Sequence, residues 1–315
     1  MKVSLRIALA AAVLVFADSP ATAQQQSAPY TVVESGRSFT RLQDAVNAIG
    51  GGTATIRFAS ARFADCAIQE AGDITYTAAV PGQSVLEGVA CEGKAALVLR
   101  GRSARVEGLV FANIHVPDMN GAGIRLEHGN LAVSQTWFRD SEQGILSGND
   151  PAATITIDKS TFTRLGTCEG AGGCAHSLYI GEYGALTVTR TRFEAGRGGH
   201  YLKSRAQRIG VFNSSFDDSH GKATNYMIDL SGGATGTISG NLFVQGEDKE
   251  NYSAFIAVAA EGKAHSSNGL TIEGNDARFV PGISRQSTFV ADWSGDRLAI
   301  GPNALGQGLK RTDRR

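Results

Sequence analysis

The feature that most restricts the fold is a unit that recurs along the middle of the chain. The segments VEGLVF, VSQTWF, IDKSTF, VTRTRF, VFNSSF and ISGNLF each start on an apolar residue, pass through small or polar residues and end on phenylalanine. The phenylalanines are Phe111, Phe138, Phe162, Phe193, Phe216 and Phe243, separated by 27, 24, 31, 23 and 27 residues. Periods of this size belong to solenoids and arrays, in which each unit covers the apolar face of the one before. The units are β in content. Apolar residues alternate over strand lengths and are bounded by Gly, Asn, Asp and Ser, with no amphipathic helix between strands. A recurring Leu/Asn pattern is missing, and propeller blades need units of about 40 residues. A coil of three short strands and three turns fits.

A second strand can be phased in each unit. It reads GIRL at Gly123–Leu126, GILS at Gly144–Ser147, SLYI at Ser177–Ile180, YLKS at Tyr201–Ser204, MIDL at Met227–Leu230 and FIAV at Phe255–Val258. The second residue of each is Ile or Leu and should point inward, beside a ladder of stacked Phe rings. Stacks of this kind leave strand edges at their ends, and edges must be covered. Phe39–Ile49 reads as an amphipathic helix with Phe39, Leu42, Val46 and Ile49 on one face and Ser38 as its N-cap, and so as a cap for the N-terminal end. The expected fold is a single all-β domain, a right-handed parallel β-helix over residues 24–300. The 39 glycines and only 7 prolines agree with many tight turns between short strands.

The chain ends carry their own signals. Lys2 and Arg6 precede the apolar run Ile7–Phe16, and Ala21-Thr22-Ala23 has the small-x-small form of a cleavage site. Residues 1–23 are therefore read as a secretory signal. The apolar run is too short to span a bilayer, no second one follows, and the chain is not expected to cross a membrane. Loss of residues 1–23 removes Lys2, Arg6 and Asp18 from 30 basic and 30 acidic residues, leaving 28 and 29. That balance excludes nucleic acid as the expected partner. Residues 301–315, with Lys310, Arg311, Arg314 and Arg315, read as a frayed basic tail. Export to the exterior or the periplasm makes disulfides the expected state of the four cysteines. Proximity pairs Cys66 with Cys91 and Cys168 with Cys174. No CxxC or CxxH spacing suggests a structural metal.

The export signal, the "SFTRLQDAVNAI" segment and coils ending in N-x-F or S-x-F resemble bacterial right-handed β-helix proteins of the pectate-lyase-like superfamily. The resemblance covers about residues 30–290. It implies the fold, and it implies a set of activities that includes lyases, C5-epimerases and hydrolases of polysaccharides as well as non-enzymatic proteins. One scaffold hosts many functions, so the site must decide.

Chemistry is densest between His176 and Gly233, in HSLYIGEY, GHYLKSRA and NYMIDLSGG. Phasing on inward Leu178, Leu202 and Ile228 puts Tyr179, Lys203 and Asp229 outward on successive coils. Arg205 shares the face of Lys203, and His176, His200 and Tyr226 fall near the preceding turn. Other coils place Leu146 or Ala257 at the same position. β-Elimination in a uronate needs a cation for the carboxylate, a base for the C5 proton and an acid for the leaving oxygen. Arg205 is the candidate anchor, Lys203 the base, and Tyr179 or His200 the acid. The expected partner is an acidic polysaccharide.

Other readings remain open. Mannuronan epimerases carry a Tyr-Asp-Pro-His signature that is absent here. A hydrolase needs two carboxylates, and Asp229 has no acidic partner in the column. A binding module would use Tyr179, Tyr183 and Tyr201 as stacking platforms, with Lys203 and Arg205 on the acid groups. An ordinary strand surface would carry Lys203 as the surface partner of Asp229, worth under about 1 kcal/mol. Calcium is a possible aid to elimination. Glu182, Glu194, Asp217 and Asp218 are the nearby oxygen donors, without a loop motif.

Overall fold

In the computed structural model, which describes residues 28–315, the chain forms a parallel β-solenoid of about nine turns. The export signal read at residues 1–23 lies outside the described residues. Three sheets run the length of the stack, one of twelve strands and two of ten. Every coil contributes one strand to each. The first sheet includes Ser103–Glu107, Asn130–Ser134, Asp150–Asp158, Tyr183–Thr189, Arg208–Phe212 and Thr235–Ser239. Its pairing is parallel except at the N-terminal end. There Tyr30–Val32 pairs antiparallel with both Arg37–Phe39 and Thr53–Phe58.

The second sheet carries the phenylalanines. Phe111, Phe138, Phe162, Phe193, Phe216 and Phe243 lie in exact register from coil to coil. All six are buried, and their rings stack with centroids 4.8–5.1 Å apart. That distance is the strand spacing itself, so each ring sits flat on the next.

The polar residues inside the repeated segments have a cause of their own. Two positions before each Phe from Phe138 to Phe243, at the corner between the first and second sheets, stand Thr136, Ser160, Thr191, Ser214 and Asn241. Asn275 and Asn303 continue the column. Each from Ser160 onward accepts the backbone N–H of its counterpart on the coil before, from Thr136 N to Ser160 Oγ at 3.3 Å through to Asn275 N to Asn303 Oδ1 at 3.0 Å. The side chains replace ladder bonds that the bent backbone cannot make. The residue before each from Thr136 to Asn275 takes a positive φ to turn the corner, as at Lys159 (48°) and Asn213 (50°).

The third sheet aligns Ile124, Ile145, Leu178, Leu202, Ile228 and Ile256 in one inward column, all buried. The phasing read from the sequence holds here at every coil.

Three details differ from expectation. The helix is Leu42–Ile49, shorter than Phe39–Ile49, because Phe39 ends a strand paired with Tyr30. Ser38 is not its N-cap. It lies in that strand, its Oγ 3.0 Å from Thr31 Oγ1, and Asp65 accepts the N–H of Leu42 at 2.8 Å instead. The helix buries Leu42, Ala45 and Val46 in the main core. Residues 301–315 do not fray. Ala304–Leu305 pairs with the strand Asp276–Phe279, and Leu309–Arg314 pairs along Ser287–Asp292.

Both cysteine pairs form, Cys66–Cys91 with Cα atoms 5.6 Å apart and Cys168–Cys174 at 4.0 Å. Among the described residues no helix is long and apolar enough to cross a membrane.

Candidate active site

Three consecutive strands of the third sheet, Leu178–Ile180, Leu202–Ser204 and Ile228–Leu230, build the site. Tyr179 pairs with Lys203, and Lys203 with Asp229. Opposite parity from the inward Leu and Ile residues turns all three outward. The column is flanked by Leu146 on the coil before and Ala257 on the coil after. His176, His200 and Tyr226 form a second ladder beside it. The His176 and His200 rings are 4.8 Å apart, and His200 and Tyr226 stack at 5.5 Å. Tyr179 meets His176 edge to face at 5.3 Å.

Arg205 donates to the Tyr179 hydroxyl and lies over its ring, with 5.3 Å from guanidinium carbon to centroid. Lys203 Nζ is 5.5 Å from the same centroid. Lys203 and Arg205 do not stand as free cations, because of a residue that the sequence reading did not single out. Glu261 reaches back from a later coil and pairs with both cations, one carboxylate oxygen on Lys203 and the other on Arg205. Asp229 Oδ2 lies 3.5 Å from Lys203 Nζ and 3.5 Å from His200 Nε2. Two cations therefore face two carboxylates. Within the column Asp229 has no acidic neighbour, and Glu261, from outside it, shares Lys203 with it.

Lys203 is 7% exposed and Asp229 2%, so this is not a solvated surface pair. Burial raises the Asp229 carboxyl above its ordinary range, and Lys203 and the Ser231 hydroxyl (2.7 Å) offset only part of the rise. Burial also raises Glu261, but its hydrogen bonds and ion pairs with Lys203 and Arg205 outweigh this and hold it below the usual range. His176 is pushed down to about 3, by burial first and then by Lys203 and Arg205. His200 is likewise held well below its ordinary value, by burial first and then by His176, Lys203 and Lys249. Both imidazoles are neutral near pH 7. His176 Nδ1 accepts the backbone N–H of His200 at 3.0 Å, which places the His176 proton on Nε2. Two buried atoms, Asp229 Oδ1 and His200 Nδ1, have no hydrogen-bond partner.

Behind the histidines lies a closed polar cluster that the sequence did not signal. Lys249 is fully buried, 3.3 Å from Asp218 Oδ2 and 2.9 Å from Thr224 Oγ1. Asp218 Oδ1 accepts from the Tyr201 hydroxyl at 2.6 Å and from Thr224 at 2.7 Å. Tyr201 is thus no stacking platform for a sugar, and Tyr183 is equally buried. Tyr179 is the half-exposed ring of that set. Asp218 is committed to Lys249, while Glu194 and Asp217 pair in register on the second sheet. Glu182 borders the groove. These four oxygens do not converge on one point. Among the described residues the grouping of metal-type donors is Cys168, Cys174 and Glu250, and its two cysteines are already bonded to each other.

An open depression of about 330 Å³ borders Arg205, Ser231 and Glu261. A larger one, about 560 Å³, lies near the start of the helix, beside Tyr30, Arg41, Asp65 and Cys66. Its carboxylate, Asp65, is already engaged by the N–H groups of Leu42 and Cys66, and the smaller depression, which meets Arg205 and Glu261, is the chemical candidate.

No family model and no curated protein matches the sequence. Solved structures do match in fold. ORF18 of Geobacillus virus E2 superposes with a TM-score of 0.55 at 13% identity, over 86% of this chain and 57% of its own. The PL6 family alginate lyase AlyGC superposes with a TM-score of 0.50 at 14% identity, over 82% of this chain and 40% of its own. The chain is a parallel β-helix, a fold it shares with a polysaccharide lyase. It spans about half the length of these neighbours, and identities this low carry architecture and no residue roles.

Proposed function

We infer that the protein is an exported, right-handed β-helix, closed at its N-terminal end by the helix Leu42–Ile49, that cleaves an acidic, uronate-containing polysaccharide by β-elimination. One observation carries the reading. A carboxylate, that of Glu261, already sits across Lys203 and Arg205 beside the Tyr179 hydroxyl. A uronate carboxylate has the same shape and charge, and guanidinium geometry suits it. The alginate lyase among the structural neighbours agrees with a polyuronate as substrate class.

In this reading Arg205 neutralises the substrate carboxylate and so acidifies the C5 proton. Lys203 removes that proton. The C5–H electrons form the C4–C5 double bond, the C4–O bond breaks, and the leaving oxygen takes a proton from Tyr179. Lys203 acts as base only without its resting proton. Asp229, 3.5 Å away with an unpartnered Oδ1 and a raised carboxyl, is the neighbour able to accept it. His200 is buried at 8% exposure and serves to position Asp229 rather than to reach a leaving group.

A second reading rests on Asp229 and Glu261. Their environments push the two carboxyls in opposite directions, the pattern of an acid and a base in a glycoside hydrolase. One assay separates the two. The protein is incubated with a panel of acidic and neutral polysaccharides, with and without EDTA, and followed at about 235 nm and by reducing ends. Elimination gives both signals in equal number on a polyuronate, because each cleavage creates one unsaturated end. Reducing ends without absorbance would replace the lyase by a hydrolase, and binding without either would leave a carbohydrate-binding module.

A further inference from the structure

Glu261 stands on a segment unlike its counterparts. Between the third and first sheets the chain needs only residues 205–207 on one coil and 231–234 on the next, but residues 259–270 on the coil after. The longer segment does not project away. It folds back over the two earlier coils, donating from Glu261 N to Ser231 O at 3.1 Å and from His265 N to Gly232 O at 2.8 Å. His265 Nε2 lies 3.1 Å from the carbonyl of Arg205. Its far side is tied down by Asp296, which meets Lys263 Nζ at 2.5 Å and the N–H of Ser267 at 2.7 Å. The fold thus carries one carboxylate to the anchor and the base of the proposed site, some 56 to 58 residues away in sequence.

The partners differ in freedom. The Lys203 side chain is 8% exposed and Arg205 30%, while Glu261 keeps 44%. Gly262, the residue after it, has φ 109°, a conformation that leaves the turn to glycine. The cations are fixed by the sheet, and the carboxylate is the member able to leave.

We propose that Glu261 is a specificity-determining residue, an internal stand-in for the substrate carboxylate that a ligand must displace to bind. This deepens the reading above and rests on it. A neutral glycan cannot replace the lost ion pairs, so it is rejected at the cost of leaving Arg205 without its carboxylate and Lys203 with Asp229 alone. A uronate restores the pair with Arg205 as it enters and brings its C5 proton to Lys203.

The test compares full-length wild type, Glu261→Gln, Glu261→Ala and the double variant Arg205→Ala/Glu261→Gln by affinity electrophoresis. The probes are polygalacturonate, alginate, dextran sulfate and neutral dextran. Removing the competing carboxylate should tighten polyuronate binding by about tenfold in either single variant, leave dextran unbound, and lose the gain when Arg205 is also removed. Rate at low substrate should rise with affinity. Equal or weaker binding of every polyanion by both single variants, or loss of rate with Glu261→Gln, would overturn the proposal. A gain for dextran sulfate with none for the polyuronates would keep the displaced-anion role and defeat the polyuronate reading.

Discussion

The Phe ladder of the second sheet and the outward column of the third are made by the same coils, yet one repeats and the other changes at every step. Phe111 to Phe243 presents one side chain six times, each in register. The outward column reads Val98, Arg125, Leu146, Tyr179, Lys203, Asp229, Ala257. A stack needs identical surfaces to pack against each other, so folding selects sameness inside. A reaction needs unlike groups within a few ångströms, so function selects difference outside. The apolar residues flanking Tyr179, Lys203 and Asp229 confine the chemistry to three coils.

That contrast can be broken from the inside first. Phe193 packs between Phe162 and Phe216 with centroids 4.8 Å from each. Phe193→Ala should cost about 3–5 kcal/mol of stability, because the rigid ladder cannot collapse into the space. Denaturant unfolding followed by circular dichroism reads this directly. A loss under about 1 kcal/mol would mean that the ladder is not what holds the coils together.

The corner column should give a smaller effect. Asn241 accepts from Ser214 N at 2.9 Å and donates to Val211 O at 2.9 Å. Asn241→Ala leaves both backbone groups buried and unpaired and should cost about 2 kcal/mol, whereas Asn241→Ser should recover part of it, since Ser fills the same place at position 214.

The smallest expected effect concerns pH. Folded His176 binds its proton only near pH 3, whereas an unfolded histidine does so near about 6.5. Between those values the unfolded state holds the proton and the folded state does not, so stability falls as pH falls. His200 acts in the same direction. Asp229 opposes them, since its raised folded value favours the folded state as it protonates. From pH 7.5 to 5.5 His176 alone should remove about 1.4 kcal/mol. His176→Asn, which keeps an acceptor for His200 N, should flatten that slope in thermal unfolding.

The repeat made the inside of the molecule legible. Period, Phe register, inward Ile and Leu and the alignment of Tyr179, Lys203 and Asp229 all follow from counting residues, because a strand has a fixed alternation and a coil a near-fixed length. Glu261 broke that logic. It stands on a connection longer than those of its neighbours and folds back, and spacing within a repeat cannot say where an insertion goes. The extra length before TIE at residues 271–273 was the available signal. The Lys249–Asp218 cluster was illegible for another reason, since two charged residues 31 apart give no sign in sequence that they are buried together. The frayed tail failed because its basic composition concealed the strand Leu309–Arg314 that extends the third sheet.

The most direct test of the account is the initial rate of unsaturated-end formation by Lys203→Met on whichever polyuronate the wild type cleaves, with unfolding measured on the same preparation. Methionine keeps the apolar stem and removes the base. The account predicts a loss of about a hundredfold or more in rate, with a cooperative unfolding transition retained because the Phe ladder is untouched. Full activity in Lys203→Met, or a wild type that forms no unsaturated ends on any polyuronate, would contradict it.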